Sequence, residues 1–96
     1  MENLNVKEVM NNAPTTFPDH TVRLLIEYKE LVERTEKLEA LLMKHEEGKL
    51  GVVLNCPEFI LERQLHSMRG YGEILRKRML VYEGITLDEL NAFMRG

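Results

Sequence analysis

The sequence has one cysteine, no tryptophan and only three prolines among its 96 residues. A single thiol, Cys56, excludes an intrachain disulfide. His20, His45 and His66 are too far apart to give the four-residue spacing of a helical metal pair, so no metal is expected. No apolar run approaches the roughly 18–20 residues that cross a bilayer, and the N-terminus lacks the basic-then-apolar pattern of a secretory signal. A cytoplasmic chain without a membrane partner is expected. Charge of neither sign dominates: the formal net charge is −3 with acids and bases interspersed, so no general basic field draws the chain onto DNA. Also missing are a Cys–His or Ser–His pair, a phosphate-cradling glycine loop and a carboxylate pair at a supporting position. Cys56 sits at a helix start, where a thiolate is favoured, but has no base beside it. The expectation is a protein that is not an enzyme and carries no cofactor.

What is present is helical periodicity. Asn5 and Glu8 are spaced as a capping box for a short helix over residues 4–10, and Pro14 and Pro18 make residues 11–18 an arm. Val6, Val9, Met10 and Phe17 would pack this arm on the rest of the chain or on a neighbour. A long helix is predicted from Asp19 or Thr21 to Glu47, with Gly48 as a left-handed stop. Along it Leu24, Tyr28, Leu31, Thr35, Leu38, Leu42 and His45 alternate spacings of four and three, the repeat of a coiled-coil seam. Asn55 and Glu58 read as a second capping box, with Pro57 in the first turn. A second helix to Glu83, stopped by Gly84, repeats the seam at Leu61, Leu65, Met68, Gly72, Leu75, Met79 and Tyr82. Two seams of equal length joined by a short connection fold back on each other. Thr86 and Glu89, with Ile85 and Leu90 as staple, open a last short helix through Phe93 and Met94.

The fold class is therefore all-α: an antiparallel two-helix hairpin over residues 19–83, with short N- and C-terminal helices in residues 1–18 and 84–96, forming one domain. So small a core is marginal on its own, which makes a homo-oligomeric helical bundle the expected state.

Gly70 and Gly72 break the pattern, because each interior glycine costs on the order of 1 kcal/mol relative to alanine. In an antiparallel pairing both fall opposite Thr35, the one small polar residue of the first seam. Two readings follow: a close helix crossing, or a concavity where a ligand approaches backbone beside Tyr71. The second helix also gathers Arg63, Arg69, Arg76, Lys77 and Arg78 against few acids. Such a strip either pairs with glutamates of the first helix or binds phosphate and stacks a base. Tyr28 and Tyr82, in the seams, read as core or interface residues.

Glu27-Tyr28-Lys29-Glu30-Leu31, Glu36-Lys37-Leu38-Glu39-Ala40, Gln64-Leu65, Met68 and Tyr71-Gly72-Glu73-Ile74-Leu75 together resemble a family of small phage proteins named after a gene product of a crAss-like phage, over about residues 22 to 82. The resemblance implies a phage origin, hence a host-cell cytoplasm. In plan the chain is also similar to phage sponge proteins that sequester the cyclic nucleotide signals of CBASS or Thoeris defence, whose pockets lie between subunits and use aromatic and basic residues. That analogy implies a ligand site built from Phe17, His20 and Arg23 with Arg69, Tyr71 and Arg76. The leading expectation is a non-enzymatic anti-defence protein that binds a cyclic nucleotide or ADP-ribose-type immune signal. The alternative is an inhibitor or assembly protein that contacts a host defence protein, of anti-CRISPR or anti-restriction type, through a seam, the arm or residues 85–94; in that case removing the C-terminal segment is expected to leave the hairpin intact.

Overall fold

A computed structural model describes residues 17–49, 51 and 53–96. The expected N-terminal helix and most of the arm lie outside the described residues. Helix α1 spans Asp19–Glu46. It starts behind Pro18, whose extended backbone turns its carbonyl onto the N–H groups of Thr21 and Val22 at 3.0 and 3.1 Å, while Asp19 complements the positive end of the helix. It ends as the sequence predicts: Gly48 adopts φ +72°, letting its own N–H and that of Lys49 close back on the carbonyls of His45 and Lys44.

Helix α2 spans Glu58–Lys77 and continues through a π-helical turn, Arg78–Tyr82, stopped at Gly84 with φ +74°. Here two expectations are corrected. Asn55 and Glu58 make no capping box: Pro57, extended at ψ 146°, is itself the N-cap, and no side chain caps the helix. A proline at that position places Asn55 two residues too early to reach the first free N–H groups. Of the two readings of Tyr82, core or interface, the core one is overturned, since the residue is 74 % exposed. The wide turn, in which the Glu83 N–H bonds the Arg78 carbonyl at 2.9 Å, delays the helix by about one residue, so Glu83 takes the inward place. Its carboxylate accepts from the Thr21 hydroxyl at 2.8 Å and lies 3.2 Å from His20 Nε2, tying the start of α1 to the end of α2.

Helix α3 spans Leu87–Arg95, and its capping box forms as expected: the Glu89 N–H donates to the Thr86 hydroxyl and the Thr86 N–H to the Glu89 carboxylate. The described residues are thus all-helical, and α1 and α2 run antiparallel, with Glu83 beside Thr21 at one end and Glu58 beside His45 at the other.

The core is uneven along the hairpin. Leu24, Leu25, Leu75, Met79, Ile85, Leu90 and Phe93 form one buried cluster where α3 closes over the α1 start and the α2 end, and Phe17 and Tyr28 pack against it. Three of those seven come from residues 85–93. The C-terminal segment is therefore part of the core, and the expectation that it can be removed while the hairpin stands is corrected. Towards the connection, among the described residues, only Leu42 and Leu65 are fully covered. Between these ends the seam carries Thr35 and Gly72, and there the helices leave space.

Candidate functional site

That space is a cleft of about 260 Å³ between α1 and α2. Tyr28, Leu31, Val32 and Met68 give it an apolar floor, with Gly72 in the α2 wall and Thr35 opposite. A methyl at Gly72 would stand 3.7 Å from Leu31 Cδ2, an ordinary contact, so the glycine is not required by helix crossing. Its absence of side chain leaves the cleft open. Thr35 turns its hydroxyl back to the Leu31 carbonyl at 2.7 Å, which removes a polar group from the floor. The rim is charged, with Arg69 and Arg76 on α2 and Glu36 and Glu73 between them. Arg69 is held by an ion pair with Glu39; Arg76 makes no ion pair among the described residues.

The structure separates the residues expected to share a pocket. Arg69 and Arg76 are seven apart, two turns on one flank, and both line the cleft. Tyr71 is two residues from Arg69, about 200° round the helix, so it faces the other flank. There its hydroxyl donates to Glu27, which holds the phenol above its ordinary pKa because the bonded carboxylate disfavours a second negative charge. The aromatic ring that does line the cleft is Tyr28, which seam position had marked only as core. Gly70 lies on the exposed side, where a Cβ would meet nothing within 4 Å, so of the two glycines only Gly72 faces α1. Phe17 packs on the core cluster, His20 engages Glu83, and Arg23 is exposed on α1. Within one chain these three stand apart from the cleft.

Beyond Arg69 a second hollow of about 520 Å³ is bounded by Glu39, Leu42, Met43, Glu46, Glu62, Leu65 and His66. Carboxylate oxygens of Glu46, Glu58 and Glu62 come within 4.8 Å of one another at its end. Exposed acids of this kind are commonly solvated, and His45 Nδ1, 3.4 Å from Glu58, supplies a neighbouring positive charge when protonated. No described helix is long and apolar enough to cross a membrane.

A family model described as Sequestin matches residues 18–80, taking in all of α1 and α2 as far as Leu80. The match overlaps the phage-protein resemblance read from the residues but carries no link to a crAss-like phage. No curated protein and no solved structure matches the chain.

Proposed function

The chain belongs to the Sequestin family, and from that premise we propose that it binds and sequesters a small phosphorylated signal of host defence, of cyclic nucleotide or ADP-ribose type, without chemistry of its own. The family's name denotes sequestration; the observation that carries the reading is the cleft at Gly72. Its apolar floor and the Tyr28 ring suit a nucleobase, while Arg69 and Arg76 stand one above the other on the rim at the spacing of two helical turns, about 10 Å. Guanidinium groups so placed engage phosphate oxygens in pairs. At about 260 Å³ the cleft sits at the small end of ligand pockets and accommodates one base with its sugar, leaving phosphates at the mouth. Sequestration in a homo-oligomer, in the cytoplasm of a phage-infected cell, completes the reading.

The test is thermal unfolding of the full chain against cyclic di- and trinucleotides and cyclic ADP-ribose isomers, followed by calorimetry on any that shift it. A ligand at a hundred times its dissociation constant adds about 2.7 kcal/mol. Arg76→Glu is expected to abolish the shift while leaving the helical content unchanged, since Arg76 is exposed. A flat response across the panel sinks the reading.

A further inference from the structure

The two openings between α1 and α2 meet at one residue. Arg69 borders both the cleft at Gly72 and the larger hollow towards the connection. The antiparallel register that sets Thr35 across from Gly72 sets Glu39, one turn further along α1, across from Arg69, and the guanidinium donates to its carboxylate. Glu39 lines the hollow and not the cleft, so the pair draws the head of Arg69 to the far side of the wall between them. Arg76, four residues beyond Gly72, has no such partner among the described residues.

The two ends of the cleft differ in charge as well. Lys77 and Arg78 follow Arg76, whereas beyond Arg69 the hollow adds Glu39, Glu46 and Glu62. An approaching anion is steered to the Arg76 end.

We propose that Glu39 holds Arg69 in reserve: a phosphate meets Arg76 first, and Arg69 joins only when a phosphate oxygen displaces the Glu39 carboxylate. Carboxylate and phosphate claim the same planar fork of donors, so the guanidinium serves one or the other in full. The exchange is accessible because the pair lies in water. The Arg69 side chain is 54 % exposed and that of Glu39 37 %, and exposed pairs of this kind contribute little. A single small anion at Arg76 stands about 10 Å along the helix from Arg69 and leaves the pair closed, while a ligand with a second phosphate group reaches it. Glu39 thereby sets specificity: it keeps simple anions from occupying both arginines and leaves the full site to a ligand that carries two phosphates. The inference rests on the proposed function in that the cleft must receive phosphate, and it adds the order in which the arginines engage.

The side-chain Nε–H resonances of the arginines in the full chain, followed by NMR while inorganic phosphate is added at low ionic strength, test that order without a nucleotide. Arg69→Lys and Arg76→Lys assign the two signals. In the wild type the Arg76 signal is expected to move at lower phosphate concentration than the Arg69 signal. In Glu39→Gln, which keeps the shape and drops the charge, Arg69 is expected to respond at concentrations about fivefold lower than in the wild type. That factor is equivalent to about 1 kcal/mol, the upper value for an exposed pair. Glu33→Gln makes the same change of net charge on the exposed face of α1, away from both openings, and is expected to leave both responses as they are. Circular dichroism verifies that the variants remain helical.

Simultaneous movement of the two signals in the wild type, or an Arg69 response that Glu39→Gln leaves unchanged or weakens, overturns the proposal. Nucleotide binding, measured separately by thermal shift, stands in each of those cases. Silence of both arginines towards phosphate overturns the proposal and, with it, the arginine contacts of the proposed function.

Discussion

Three residues show how single positions set this hairpin. Gly72 keeps the cleft open at the expense of helix stability. Gly72→Ala is expected to stabilise the fold by up to about 1 kcal/mol, roughly 4–8 °C in melting temperature for a chain of this size, while lowering affinity for a cleft ligand. Calorimetric unfolding and binding measured on one sample would expose the opposite signs; a variant that melts lower would refute the open-space description. Thr21 is 1 % exposed and donates to the half-buried Glu83, so Thr21→Val removes that bond and is expected to cost about 0.5–1.5 kcal/mol, read from chemical denaturation. Tyr71 carries a raised pKa from its bond to Glu27. The bond's contribution is therefore present at neutral pH and disappears as pH climbs through that raised value. Ultraviolet titration should show one tyrosine ionising late in the wild type and earlier in Glu27→Gln.

At the scale of elements, α3 decides whether the hairpin has a core. Phe93 is 3 % exposed within the main cluster, so Phe93→Ala should cost about 3–5 kcal/mol, against about 1 kcal/mol for Thr86→Ala, which loses only a cap. Denaturant midpoints for the pair would rank them, and near-equal losses would contradict the placement of α3. The stops and the last cap were legible because they are local: Gly48, Gly84 and the Thr86–Glu89 box each act within a few residues. Pro57 defeated the Asn55 reading because a proline fixes the extended corner itself, further along the chain than the box requires. Tyr82 was misplaced because a constant 3.5-residue repeat cannot register a π turn; Glu83, the acid that Thr21 and His20 reach, was the available hint. The two arginines of the cleft were named by analogy with the sponge proteins; their spacing of seven puts them on one flank, and the same wheel sets Tyr71 on the other. Tyr28 was hidden because a half-buried seam residue and a cleft wall look alike in sequence.

For the whole molecule, the hairpin has a single opening along its seam: the inner face of α2 meets α1 and leaves a cleft at Gly72. A protein that only holds its ligand needs this much and no catalytic group. Sequestration makes a demand that binding alone does not: the captured molecule must come back unchanged. The measurement that tests this most directly takes the nucleotide giving the largest thermal shift and incubates it with excess protein for hours. The free ligand is then quantified by chromatography before and after the protein is denatured by heat. The result expected is near-complete disappearance of free nucleotide, followed by its full recovery in the original form, with Arg76→Glu capturing little. Recovery of a cleaved or rearranged product, or no capture by the wild-type chain, would contradict it.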